Sequence, residues 1–221
     1  LAARQQLAAF AEANDIARLS WQSLGDGPEP EPLAERRPPC VAFAGIAVTP
    51  PPGAFLQPSR EGEQAMAAAL LEAVPQGAKR ILELYAGCGS FTFALAARGR
   101  VHAVEGDSAA LAALWSAARK GDLAGRITVE ERDLARQPFL ASELGEFDVA
   151  VFDPPRAGAR EQALAFASGG PSVVVALSCN PNSFARDARV LTDGGYRLEW
   201  LQGIDQFPWS GHLELVARFS R

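Results

Sequence analysis

The sequence predicts an α/β fold: a seven-stranded, mostly parallel sheet with helices on both faces and a C-terminal antiparallel hairpin. Three observations carry this. From Lys79 onward, short β-branched and aliphatic runs alternate with helix-length segments, the pattern of a parallel sheet built from crossovers. Val173 to Leu177 is an uninterrupted aliphatic run, as expected for a strand covered on both faces. Gly194-Gly195 then introduces two last apolar-alternating runs near the C-terminus.

Taken in order, residues 1 to 19 read as an amphipathic helix, with Leu7, Phe10, Ala11 and Ile16 near helical spacing. Residues 25 to 39 hold Gly25, Gly27, Pro28, Pro30, Pro32, Pro38 and Pro39 and read as a loop or linker. Val41 to Val48 makes one or two short strands around Gly45, and Pro50-Pro51-Pro52-Gly53 breaks the chain. The domain boundary is expected there: residues 1 to 52 as the remnant of an N-terminal or central region, residues 53 to 221 as the catalytic domain. A helix follows over 60 to 74. Strands are expected over 80–84, 100–105, 126–130, 147–152 and 172–178. Helices are expected over 91–98, 108–119, 160–168 and 181–191, and the closing strands over 196–204 and 212–219.

Composition limits the function classes. At 221 residues and 48% hydrophobic content, the chain can build one full core. It begins with Leu1, so a piece of a longer protein is expected. No apolar run approaches the roughly 18 residues of a membrane span. Cys40, Cys88 and Cys179 are widely spaced and odd in number, which suggests reduced thiols in a cytoplasmic protein. A net charge of −5 gives no global basic field, so RNA contact has to use local arginines.

Two chemical clusters stand out. The first strand runs into Tyr85-Ala86-Gly87-Cys88-Gly89-Ser90, with Glu83 just before it. Gly87 and Gly89 let the backbone turn tightly against a ligand. The second strand ends at Glu105, whose carboxylate can accept two hydrogen bonds from a ribose diol. Asp133, after the third strand, suits either an adenine amino group or the cap of the next element. Glu83, the glycine turn and Glu105 together resemble a Rossmann-like class I S-adenosylmethionine-dependent methyltransferase.

The second cluster holds Cys179 between the aliphatic strand and the Asn180-Pro181 helix start. Ligands of open α/β sheets bind at such strand ends. The helix N-terminus is expected to lower the cysteine pKa from about 8.5. Asp153-Pro154-Pro155-Arg156 holds Asp153 on a rigid turn, with Arg156 free for a phosphate or a carboxylate. His212 and Glu214 lie two apart. No third ligand is evident for a metal, so none is expected, and Glu214 is the better candidate for a general base.

Residues 53 to 221 resemble the catalytic domain of the bacterial tRNA and 23S rRNA (uracil-5-)-methyltransferases. The motifs are Phe55-Leu56-Gln57, Tyr85 to Ser90, Glu105, Asp153 to Gly158, Ser178-Cys179-Asn180-Pro181, and Phe207-Pro208 with His212-Leu213-Glu214. The chain departs from the family's usual residues at Ser59, Ala176, Ser183 and Trp209. It has no counterpart of the family's N-terminal oligonucleotide-binding module or iron–sulfur cysteines. The resemblance implies methyl transfer from S-adenosylmethionine to carbon 5 of a uridine in rRNA or tRNA. Cys179 would be the nucleophile and Glu214 the base. Gln57, Tyr85, Gly87, Gly89, Ser90, Glu105, Asp133 and Asp153 would bind the cofactor. RNA is the expected partner, no membrane is expected, and a monomer is favoured. Two rivals stay open: a methyltransferase of the same fold acting on cytosine or a small molecule, and a catalytically silent module that binds RNA or cofactor. Ser178 before Cys179 speaks against cytosine enzymes, which usually carry proline there.

Overall fold

The computed structural model describes residues 2–23 and 30–221. Helix α1 (Ala2–Ala13) opens the chain. It stops short of the expected residue 19, because Asp15 adopts the left-handed φ of 51°, which ends a helix, and because the next residues form a strand. Strands β1 (Arg18–Trp21) and β2 (Glu31–Glu35) pair antiparallel with a register shift at Leu19/Ser20. Part of the expected linker is therefore strand. Proline-rich composition hid it: Pro32 sits in a two-stranded ribbon, where a missing N–H is tolerated at an edge. Residues 25–29 of that linker lie outside the described residues. Arg36 and Arg37 both bridge to Asp15. Strands β3 (Val41–Phe43) and β4 (Ile46–Val48) form the short hairpin expected around Gly45, which has a φ of 84°.

After α2 (Arg60–Ala73) comes the main sheet: β5 (Arg80–Leu84), β6 (Arg100–Glu105), β7 (Ile127–Glu131), β8 (Val149–Phe152), β9 (Val173–Ser178), β10 (Arg197–Ile204) and β11 (Glu214–Ser220). Helices α3 (Thr92–Ala96), α4 (Ser108–Lys120), α5 (Ala141–Leu144), α6 (Arg160–Gly169) and α7 (Pro181–Asp193) lie between them. The order across the sheet is β10-β11-β9-β8-β5-β6-β7. The strands from β9 to β7 pair in parallel, while β11 runs antiparallel to both β9 and β10. The expected architecture is present. Helix α5 is extra: four residues, too short for a periodic signal, held where Glu143 accepts from Leu140 N at 2.7 Å.

Strand alternation splits the core into two layers. Ile81, Val149, Val151, Val173, Val175, Leu177 and Val216 join Met66, Leu70 and Leu114 on one face. Leu82, Leu84, Ala150, Phe152, Val174, Ala176 and Phe219 join Phe166, Phe184 and Leu191 on the other. Each such large side chain contributes about 1.5–3 kcal/mol on burial. Phe43 and Val48 of the β3–β4 hairpin are buried in the first layer. Among the described residues, no helix is long and apolar enough to cross a membrane.

Candidate active site at the carboxyl edge of the sheet

The strand order reverses between β5 and β8, and crevices beside such points take ligands. Register then decides which side chains meet. Leu84 pairs with Phe152, Phe152 with Ala176, and Ser178 with Leu215. One step past that last pair, Cys179 on β9 and Glu214 on β11 stand at the same level. Asp153 lies two residues lower on β8, roughly 7 Å by strand rise. By alternation, Glu83, Asp153, Cys179 and Glu214 share the sheet face of the Ile81, Val151, Val175 and Val216 layer. Four neighbouring strands thus each deliver one reactive side chain to one edge.

The electrostatics follow from this crowding. Glu83 is 3% exposed and Glu214 4% exposed. Burial pushes the Glu83 carboxyl up to about 8, with the nearby Thr92 hydroxyl opposing the rise and the Asp153 and Glu105 charges adding to it. Burial, then Glu214, pushes Asp153 up to about 7. Burial also raises Glu214. Cys179 is raised as well, by burial first and then by Glu214 and Asp153. This corrects the lowered thiol expected from the helix end. Asn180 does cap α7, accepting from Asn182 N at 3.1 Å, but the helix dipole falls off within a turn, and burial together with two carboxylates outweighs it.

Other candidates occupy backbone-tethering positions. Tyr85 has a left-handed φ of 63°, and Gly87 and Gly89 have φ of 54° and 97°. A Cβ at Gly89 would lie 2.7 Å from the Phe93 ring, so this turn requires glycine. Burial and the nearby Asp187, Glu105 and Asp133 charges push the Tyr85 phenol up to about 12. Glu105 accepts from Gly87 N at 2.8 Å, Gly106 N at 2.7 Å and Asp107 N at 2.9 Å. Three of its roughly four acceptor positions are therefore used by the backbone. Asp133 accepts from Ala135 N and Arg136 N, capping a turn and not a helix. Ser90 lines an open cavity of about 370 Å³ with Arg60, Glu63 and Gln64. Gln57 accepts from Gln206 Nε2 at 2.9 Å.

Sequence reasoning assigned no role to two residues that hold these parts in position. Gln206 is 7% exposed; it also meets Met66 Sδ and Ser59 Oγ and so ties the segment before β11 to the segment before α2. Asp187 is 4% exposed. It accepts from Ala159 N at 2.7 Å and from Arg186 Nε at 2.9 Å. Arg186 in turn donates to Ala157 O, while Asn180 Nδ2 and Ser183 Oγ donate to Arg156 O. The loop after Asp153 is thereby locked onto α7. A signal existed: Asp187 shares the apolar stripe of Phe184 and Leu191, an odd place for an acid.

Arg156 is exposed, with Nη1 3.4 Å from His212 Nδ1. The His212 ring stands edge-on to Phe207. Strand β11 starts at Glu214 and not at residue 212, so His212 and Glu214 do not share a strand face. Among the described residues, no group of three or more His, Cys, Asp or Glu side chains is placed to hold a metal ion.

The edge fits a cationic sulfonium cofactor by its chemistry. It concentrates carboxylates beside a glycine turn, and Glu83 Oε2 is buried without a hydrogen-bond partner.

Comparisons with known proteins give the family and the fold. The family model described as tRNA (Uracil-5-)-methyltransferase matches residues 46–220. An uncharacterised RNA methyltransferase of Mesorhizobium japonicum is 48% identical over 94% of this chain and 48% of its own length. A 23S rRNA (uracil(1939)-C(5))-methyltransferase of Alteromonas naphthalenivorans is 36% identical over 82% of this chain and 39% of its own. Among solved structures, the Pyrococcus abyssi tRNA (uracil-54, C5)-methyltransferase in complex with S-adenosyl-L-homocysteine superposes with a TM-score of 0.76 at 25% identity. That match covers 92% of this chain and 50% of the other. The chain spans about half the length of the curated relatives it matches.

Proposed function

Since the chain belongs to the tRNA (uracil-5-)-methyltransferase family, we propose that it methylates carbon 5 of a uridine in RNA through a covalent cysteine adduct. We also propose residues 53–221 as the catalytic unit, with residues 1–52 leading into it from the rest of a longer protein. The observation that carries the reading is that Cys179 directly follows, and Glu214 directly precedes, the paired Ser178 and Leu215 of adjacent antiparallel strands, close enough for the Glu214 charge to act on the thiol.

Carbon 5 of uracil is a weak nucleophile. The Cys179 thiolate adds to carbon 6, and the ring electrons shift toward carbon 5 as an enolate. S-adenosylmethionine, when bound, supplies the electrophilic methyl that this enolate needs. Glu214 then takes the carbon-5 proton, and the electron pair left behind expels the Cys179 sulfur. A raised Glu214 suits a group that must gain a proton in the closing step. A raised Cys179 thiol needs help to ionise, and a cationic cofactor beside Asp153 offsets one of the carboxylates that raise it. Glu83, Asp153 and Glu105 with the Tyr85–Ser90 turn are assigned to hold the cofactor, with Gln57 held by Gln206 and Asp133 at the rim. The target base has to leave its stack, at a cost of a few kcal/mol.

The test is nucleoside mass analysis of RNA incubated with the chain and S-adenosylmethionine. The reading expects 5-methyluridine that vanishes in Cys179→Ala. Methylcytidine, or methylation of free nucleosides without RNA, would favour the rival enzymes instead.

A further inference from the structure

The opposite edge of the sheet carries a feature with no part in this chemistry. Arg80 pairs with Arg100 across β5 and β6. Val101 pairs with Ile127, so Arg100 stands level with Arg126. Three arginines therefore form one row across three adjacent parallel strands, about 10 Å end to end at the usual strand spacing. Lys79 and Arg98 join them around an open groove of about 740 Å³, otherwise lined by Ala78, Gly99 and Gly125.

This row is costly for the fold alone. Like charges side by side across a sheet destabilise it, and the chain as a whole is acidic. It has 21 Lys and Arg against 26 Asp and Glu; without the five groove cations, 16 face 26. Partial compensation exists. Arg80 bridges to Glu146, and Asp148 accepts from Lys79 N and Arg80 N. Two guanidiniums are fixed by carbonyls, Arg98 on Leu71 O and Arg126 on Ala96 O, which orders them before any ligand arrives. Lys79 and Arg100 make no side-chain hydrogen bond among the described residues.

We propose that this amino-edge groove is a second RNA-contact site, which takes the phosphate backbone of the substrate RNA away from the reacting base. The proposal rests on the RNA-methylating function above. A linear row of cations in an open groove matches a linear polyanion, and phosphate contacts supply sequence-independent affinity. It would give an acidic chain local purchase on RNA without a basic surface elsewhere.

The test is fluorescence anisotropy of a labelled single-stranded RNA across a salt series. Lys79→Gln with Arg100→Gln removes two cations that hold nothing in the fold. The slope of log affinity against log salt should shrink by about 1.4, at about 0.7 per lost phosphate contact. Affinity at low salt should fall at least about tenfold on the same grounds. Adding Arg126→Gln should remove a further ~0.7. Arg197→Gln, exposed on the far edge strand, should change neither value. An unchanged slope, or no RNA binding by the unsubstituted chain at the lowest salt, overturns the proposal. So does a loss seen only toward poly-glutamate, which would assign the groove to an acidic polypeptide. Assaying 5-methyluridine in parallel separates the two ideas. Product with an unchanged slope sinks the groove alone, and a shifted slope without product sinks the reaction alone.

Discussion

The two edges of one sheet carry opposite charge for opposite reasons. At the carboxyl edge, Glu83 and Glu214 are buried and Asp153 is half-buried, and desolvation pushes all three toward their neutral forms. At the amino edge, the cationic side chains of Lys79, Arg80, Arg100 and Arg126 are exposed. Buried acids are costly and persist where a specific cation or a proton transfer uses them. Exposed cations cost little singly and act by number. The strands between them are only about five residues long, roughly 17 Å, so one RNA can reach both edges. On the proposed reading the difference separates chemistry from affinity, and substitutions at each edge should fail in different ways.

The largest expected effect at the carboxyl edge, short of removing the nucleophile, is Glu214→Gln. Turnover should fall about 10²–10⁴-fold, the usual contribution of a general base, while RNA affinity and its salt slope stay put. Covalent RNA complex should accumulate on a denaturing gel, because the closing step is the one impaired. A Glu214→Gln enzyme that turns over normally would remove this residue from the reaction.

Asp187→Ala comes next. It leaves Ala159 N–H without its buried partner, at about 1–3 kcal/mol, and frees the loop that carries Asp153. Thermal unfolding should show the loss of stability, and steady-state kinetics should show a poorer cofactor KM. A variant as stable as the parent would mean that the loop is held by Arg156 O and Ala157 O alone.

A pH dependence of stability sharpens the contrast further. Asp153 has a folded pKa near 7, above the ~3.9 of an unfolded aspartate. Between those values the folded state binds more protons, so its stability falls as pH rises. Against Asp153→Asn, the parent should therefore lose relative stability from pH 4 to pH 7 and level off above. Parallel stability curves would show that Asp153 is not desolvated as described.

These contrasts were legible in the sequence to different depths. Strands β5 and β6 fall on residues 80–84 and 100–105 as the pattern predicts, because buried parallel strands write themselves as aliphatic runs bounded by turns. Cys179, Asp153 and Glu214 could be singled out one at a time, from a strand end, a proline turn and the His212-x-Glu214 spacing. Their mutual pKa effects could not. The Cys179 thiol is raised by carboxylates 26 and 35 positions away along the chain, and only the pairing of β8, β9 and β11 brings them together. The same limit hid Gln206, whose partners lie across the fold, and the arginine row, whose members are 20 and 26 positions apart. The strand at 31–35 was hidden differently, since Pro30 and Pro32 speak locally for a loop and only pairing with β1 overrides them.

The central claim is that Cys179 attacks the target uracil with Glu214 completing the cycle. The most direct measurement offers the chain S-adenosylmethionine and RNA carrying 5-fluorouridine, then resolves the products on a denaturing gel. Fluorine cannot leave carbon 5 as a proton does, so the adduct stalls before the sulfur departs. The account predicts a cofactor-dependent protein–RNA band that is absent in Cys179→Ala. A band that persists in Cys179→Ala, or no band from RNA that the same chain converts to 5-methyluridine in its unfluorinated form, would contradict it.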